Sequence, residues 1–309
     1  MNFKLRQLEG FVAAAETGAF SKAADRLAMT QPAFSQLIRE LEAMVGVRLF
    51  ERTTRRMELT EGGRLLLAQV KRPLDDLQHA YANLRELAGG ESGTVTFAVL
   101  PSSAFGLGTR AIAQLRERFP KVQVRQIEDQ NDLLIDKVLQ REVEFGLGMY
   151  SHEIPALRFD FMFTDELVAI LPAGHARARA RQIGWSELAA MPLVLLPAPS
   201  SVRRLVDAGL AQAGSHRAPA FEVVNMVTAL SMVREDLGVT VLPRVGLEAM
   251  NLTGLVHRRI GLPRPQRRMG ILRRIDRPLS AAAETLIGFL HGQAGQVAPA
   301  AARGSRGMS

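Results

Sequence analysis

Leu5, Leu8, Phe11, Val12 and Ala15 recur at the spacing of one helix face, which predicts an amphipathic helix over 4–16. Gly18 follows it as a left-handed stop. Ser21 then reads as the cap of a second helix, 22–28, with Ala23, Ala24 and Leu27 inward. Thr30 is a natural cap for a third helix, and Pro32 falls in the first turn, where a missing N–H costs nothing. Phe34, Leu37, Ile38 and Leu41 form the inner stripe of that helix, and Gly46 ends it. Two short helices joined by a tight turn are a helix-turn-helix candidate. The stripe opposite the apolar one carries Pro32, Ser35, Gln36 and Arg39, with Thr30 and Gln31 at the helix start. Glutamine and arginine can make paired hydrogen bonds to adenine and guanine edges, and a helix start suits a phosphate. The plain alternative is a solvated helix face.

Leu49 and Phe50 on one side, and Met57 and Leu59 on the other, bracket a polar tip and predict a small hairpin. Arg52, Arg55 and Arg56 would lie there along a nucleic-acid backbone. Thr60 caps a long helix with Glu61 in its first turn. Leu67, Leu74, Tyr81 and Ala88 repeat every seven residues, as do Val70, Leu77 and Leu84. Such a seam predicts pairing with a second copy of the chain, against the alternative of packing on its own domain. Pro73 interrupts the backbone bonds of this helix, so it either bends near Gln69–Pro73 or begins afresh there. Gly89 and Gly90 end it as a hinge.

Beyond Thr94 the period changes. Val95, Phe97 and Val99 alternate with polar or small residues, a strand pattern. A Pro101-Ser102-Ser103 loop leads to a helix ending near Arg118. Val122, Val124 and Ile127 form a second strand, Asn131 or Asp132 opens a second helix, and residues 143–148 form a third strand. This βαβαβ order implies a parallel sheet with helices on its faces. The pattern restarts with a strand at Leu193–Leu196, a loop over Pro197–Ser201, a helix towards Gly214, a strand at Phe221 and Val223, and a helix from Asn225-Met226 to Asp236. A strand at Gly238–Leu242 is stopped by Pro243. Leu167–Leu171 and Met269–Leu272 are the two strands that cross between the halves. The fold class is α+β overall.

Composition narrows the function. The chain has 309 residues, 47% of them apolar and 23% charged, which excludes wholesale disorder. It has no cysteine, which excludes disulfides, a catalytic thiol and thiol redox sensing, and its six histidines lie far apart. No metal or other cofactor is expected. No apolar run reaches a membrane span, and the N-terminus shows no signal-peptide pattern, so a cytoplasmic protein without membrane contact is expected. The net charge of +8 is unevenly placed. Residues 1–64 hold ten basic and eight acidic side chains, whereas 257–277 hold eight arginines and one aspartate. Basic charge makes a polyanion plausible without saying where it binds; a solvated arginine-rich face is the plain alternative.

The order of residues in the first sixty or so strongly resembles the DNA-binding domain of LysR-type transcriptional regulators. The resemblance is carried by Ser21 through Leu27, Thr30-Gln31-Pro32-Ala33-Phe34-Ser35, Leu41-Glu42, residues 46–52 and Leu59-Thr60-Glu61-Gly62-Gly63. Phe34 departs from the usual Leu or Val, on the core face. The resemblance implies a winged helix-turn-helix over 1–62 and a linker and dimerisation helix over 63–90. It further implies a two-lobed, periplasmic-binding-protein-like effector domain over 91–292; a disordered tail, 293–309, completes the expected organisation. Val233–Pro243 and Leu167–His175 also look like the family, while Glu144 and Arg141 depart from its usual Asp and Gly. Implied partners are promoter duplex DNA, a small-molecule effector, a second copy within a tetramer, and RNA polymerase. The DNA contacts would be Thr30, Gln31, Pro32, Ser35, Gln36, Arg39, Arg52, Arg55 and Arg56.

Ligands of open α/β sheets bind beyond the carboxyl ends of strands, near helix starts. That selects Ser102, Ser103, Asn131, Ser200, Ser201 and Val202 as effector-binding residues, and free N–H groups there favour a small anion. Each serine taken singly reads as a plain helix cap; it is their convergence that points to a ligand. No nucleophile elbow, P-loop, dinucleotide fingerprint or paired metal ligands were found, so no enzyme is expected. The competing readings are an α/β enzyme, or a solute-binding protein, with an appended DNA-binding module.

Overall fold

A computed structural model describes residues 4–52, 57–87 and 93–297. The chain divides into two units, Met1–Ala88 and Gly89–Ser309.

In the first unit, α1 (Leu5–Thr17), α2 (Phe20–Arg26) and α3 (Gln31–Val45) are followed by the antiparallel pair β1 (Phe50–Arg52) and β2 (Met57–Leu59), then α4 (Glu61–Leu87). Gly46 ends α3 at φ 75°, a conformation few other residues tolerate. The Thr30 hydroxyl caps α3 by accepting from the Ala33 N–H. The expected cap at Ser21 is not one: α2 starts at Phe20, and Ala19 precedes it with no side-chain cap. Packing accounts for the shift. The Phe20 ring lies 5.5 Å from Phe34 and 5.4 Å from Phe50, edge-on to both. Phe11, Phe34, Ile38, Leu41, Leu49 and Phe50 complete a core buried to within 2%.

The helix α4 runs through Pro73 as one element and does not begin afresh there. The seven-residue seam splits in two. Leu67 and Val70 pack against the core of their own unit and Leu74 is 4% exposed, so the domain-packing alternative holds for that stretch. Leu77 and Tyr81 remain 57% and 63% exposed. Ala88, Gly89, Gly90 and the side chain of Leu84 lie outside the described residues.

The second unit begins with β3 (Thr94–Val99), α5 (Pro101–Ser103), α6 (Thr109–Arg118), β4 (Gln123–Glu128), α7 (Asn131–Leu139), β5 (Phe145–Met149) and β6 (Leu157–Pro172). It continues with β7 (Gln182–Ile183), α8 (Trp185–Ala189), β8 (Leu193–Leu195), α9 (Ser201–Gln212), β9 (Phe221–Glu222), α10 (Met226–Arg234) and β10 (Val239–Pro243). It closes with α11 (Arg244–Leu247), β11 (Leu255–Ile260), β12 (Gln266–Arg274) and α12 (Ala281–Val297). The expected loop at Pro101–Ser103 is a helical turn, separated from α6 by non-helical Phe105 and Gly106.

The strand order is β4-β3-β5-β12-β6-β10-β8-β9, with β11 against β6 and β7. Parallel pairs β3–β4, β3–β5, β10–β8 and β8–β9 flank the antiparallel strands β12 and β6 in the middle. The crossing strand β6 is far longer than the expected 167–171. Its first part, to Glu166, pairs with β12, and Leu167–Ile170 pair with β10. It therefore serves two lobes, each with its own core: one around Phe97, Leu134, Phe145 and Ile271, the other around Ile170, Val194, Val206 and Val241.

Arg141 adopts φ 63°, the left-handed geometry for which glycine is usual at this turn. The expected disordered tail is corrected over 293–297, where α12 continues to Val297; residues 298–309 lie outside the described residues. Gln293 and Ala294 are buried in α12, and the Gln293 amide donates to Gln114 at 3.2 Å.

Candidate nucleic-acid interface and inter-lobe cleft

Helical periodicity divides α3 cleanly. Phe34, Ile38 and Leu41 are buried, while Gln31, Pro32, Gln36 and Arg39 are exposed and Ser35 is half-buried. Thr30, the capping residue, is exposed. The outward side chains lie along the helix: the Gln36 amide donates to Glu40 at 3.3 Å, and Arg39 Nε donates to the Ser35 carbonyl at 3.3 Å. Both contacts are exposed to solvent.

The hairpin is tied to α3 by Glu42, whose Oε1 accepts from the N–H groups of Leu49 (2.8 Å) and Phe50 (3.3 Å). Thr60 joins the hairpin to α4: its hydroxyl donates to the Arg48 carbonyl at 2.6 Å and accepts from the Gly63 N–H at 3.0 Å. A Cβ on Gly63 would lie 2.1 Å from the Leu49 carbonyl oxygen, so only glycine allows this approach. The backbone of Arg52 pairs with Met57. Its side chain, and Arg55 and Arg56, lie outside the described residues.

The second unit holds a cavity of about 240 Å³ between its lobes. Of the residues expected to bind a ligand, Ser102, Ser200, Ser201 and Val202 line it. Ser103 and Asn131 are not among its lining residues. The Asn131 side-chain oxygen instead accepts from the Met149 N–H at 2.7 Å, locking α7 onto β5, and Ser103 is fully buried. The Ser200 hydroxyl caps α9 by accepting from the Val202 N–H at 3.2 Å, which is the plain reading of a serine at a helix start.

Sequence reasoning missed Arg267, Glu128, Phe105, Gln130 and Asn225, which also line the cavity. Arg267 is 2% exposed; its Nη2 donates to the Ser102 hydroxyl at 2.8 Å and to Asp165 Oδ2 at 2.5 Å. The other oxygen of Asp165 accepts from the Val245 N–H at the start of α11, at 3.1 Å. This buried chain links the first lobe, the two central strands and the entry to α11. At the surface, Arg204 of α9 pairs with Asp132 of α7 at 3.0 Å, bridging the lobes.

The arginine-rich segment over 257–277 is largely absorbed by the fold. Arg258 donates to the Ala178 carbonyl, and Arg273 pairs with Asp160 at 3.0 Å. Arg274 pairs with Asp276 at 2.7 Å, holding that carboxyl well below its ordinary range by hydrogen bonding. The Arg268 guanidinium stands over the rings of Tyr150 (5.2 Å) and Phe161 (5.6 Å). Among the described residues no cluster could hold a metal ion, and no helix is long and apolar enough to cross a membrane.

Two families match the chain. Residues 5–64 match the family described as "Bacterial regulatory helix-turn-helix protein, lysR family", and residues 88–295 match "LysR substrate binding domain". The chain belongs to the LysR family. As such it is a DNA-binding transcriptional regulator with an effector-binding domain.

Relatives of this LysR-type regulator include the regulator GbpR of Azospirillum brasilense, 31% identical over 93% of this chain and 85% of that protein. IlvR of Caulobacter vibrioides is 31% identical over 82% of this chain and 92% of its own length. The fold is shared with a full-length OxyR variant of Pseudomonas aeruginosa, at TM-score 0.71 and 24% identity over 94% of this chain and 95% of that one. It is also shared with CbnR in complex with its target DNA, at TM-score 0.68 and 21% identity, covering 94% of this chain and all of that one (100%).

Proposed function

We propose that the outer face of α3 reads the major groove of promoter DNA through Gln31, Pro32, Ser35, Gln36 and Arg39, with Thr30 at the helix start near a phosphate. The hairpin arginines Arg52, Arg55 and Arg56 follow the sugar-phosphate backbone. The observation that carries this reading is the exposed polar stripe of Gln31, Gln36 and Arg39, set opposite buried Phe34, Ile38 and Leu41. Two copies pair along α4, where Leu77 and Tyr81 are exposed, and two such dimers form a tetramer. Two-fold pairing presents two half-sites about one helical turn apart.

The inter-lobe cavity takes a small effector bearing an anionic group, which meets Ser102, Ser200, Ser201 and Val202. Occupancy favours one arrangement of the lobes, and only that differential affinity can alter the DNA-bound state. The protein works in the cytoplasm, contacts RNA polymerase at the promoter and catalyses no reaction.

The test is binding of fluorescent duplexes by the full chain. Gln36→Ala and Arg39→Ala should each lose about 1–3 kcal/mol on a selected sequence and far less on a scrambled one. Equal losses on both sequences would overturn the groove assignment.

A further inference from the structure

Two charged side chains line the inter-lobe cavity, Arg267 and Glu128. They differ in what they already hold. Arg267 is 2% exposed, and its positive charge is matched by Asp165, equally buried. The Ser102 hydroxyl accepts from Arg267 Nη2 and so keeps its own proton to donate, which favours an acceptor group on the ligand beside it.

Glu128 presents the opposite need. It ends β4, is exposed, and joins no ion pair among the described residues. With the Arg267–Asp165 pair neutral, it leaves the cavity wall with a net negative charge. A carboxylate beside a small and mainly apolar space attracts a cation. Leu100, Leu196, Val224 and Met226 give the wall its apolar part. The volume of about 240 Å³ lies below the roughly 300–1,000 Å³ of drug-sized ligand pockets, which points to a small occupant.

We propose that the effector is a zwitterion of the α-amino acid class with an apolar side chain. Its carboxylate lies at Ser102 and Arg267, its ammonium group at Glu128, and its side chain against Leu196, Val224 and Met226. This rests on the reading of the cavity as the effector site and names the chemistry that site selects. A ligand with no net charge supplies the anionic group that the serines favour. It also answers the negative wall, which a simple anion does not.

The test is calorimetric titration of the full chain with leucine, methionine and phenylalanine. Each is compared with its des-amino acid and with its decarboxylated amine. At least one of the three amino acids should bind with a stoichiometry of one per chain, roughly tenfold or more tighter than both of its analogues. Glu128→Gln, an exposed substitution that leaves the core untouched, should weaken that amino acid by roughly tenfold and leave its des-amino analogue unchanged. The proposal is overturned if none of the three binds at millimolar concentration, if the des-amino acid binds as tightly, or if Glu128→Gln changes nothing. Selective duplex binding by the same preparation separates the two claims. If it persists while no amino acid binds, the ligand class falls and the regulator reading stands; if it too is absent, both fall.

Discussion

Removing one partner of the Arg267–Asp165 pair should damage the effector domain far more than removing the charge of both. The two side chains are 1% and 2% exposed, with Nη2 2.5 Å from Oδ2. Asp165→Asn leaves a buried guanidinium without its counter-charge, and Arg267→Gln leaves a buried carboxylate. Breaking a buried pair in this way costs about 3–5 kcal/mol. The double variant Arg267→Gln/Asp165→Asn removes both charges and keeps an acceptor for the Val245 N–H, so it should recover most of the loss. The domain provides its own reporter. Trp185, the single tryptophan of the chain, is 5% exposed in the second lobe, where its indole N–H donates to the Pro263 carbonyl at 2.9 Å. Its fluorescence during urea unfolding therefore follows the effector domain without a signal from the winged helix. At a slope of roughly 3 kcal/mol per molar urea, each single variant should shift the midpoint down by roughly 1–1.7 M. Single variants that each lose less than about 1 kcal/mol would show a solvated pair and refute the buried-charge reasoning.

Three further outcomes are expected. Arg55→Ala or Arg56→Ala should weaken binding to every duplex alike and flatten the dependence of log K on log salt, read by anisotropy across a salt series. Leu77→Lys combined with Tyr81→Lys should shift the full chain towards smaller species in sedimentation at micromolar concentration, since both side chains are exposed on α4. Burial of Glu144 raises its carboxyl above the ordinary 4.5, despite hydrogen bonds from Ser280 that act the other way. The folded state thus holds this proton more tightly than the unfolded one, so the stability it contributes is present below pH 4.5 and lost as pH rises through the raised value. Glu144→Gln should therefore gain in urea midpoint relative to the parent as pH rises across that window, read from Trp185 fluorescence.

The winged helix was legible because each signal there is local. Thr30, Pro32 and Gly46 mark helix ends by their own backbone chemistry, and Phe34, Ile38 and Leu41 mark the inner face by spacing alone. The error at Ser21 came from a local rule losing to packing, as Phe20 draws the helix start inward to meet Phe34 and Phe50. Leu157, Phe159, Phe161 and Phe163 alternate with Arg158, Asp160 and Met162 in the first part of β6, the same period-two signal as in β3, so the strand expected at 167–171 was too short although its extension is legible in the chain.

The cleft was half legible. Strand ends followed by serines pointed to Ser102, Ser200, Ser201 and Val202. Arg267 was hidden inside an arginine run in which every member looked alike. Its distinguishing mark is pairing across strands: it faces Asp165 in the β12–β6 register, and Phe163 and Met269 beside them are buried. That relation joins residues about a hundred positions apart, and spacing along the chain carries no trace of it.

The most direct test of the proposed function is what the whole chain selects from a library of random duplexes. One pseudo-palindromic site whose half-sites are centred roughly 10 bp apart should be enriched, with binding that weakens steeply as salt rises. Gln36→Ala should relax the preference at one position of each half-site. Binding that enriches no sequence, or a single site without two-fold symmetry, would contradict the proposed function.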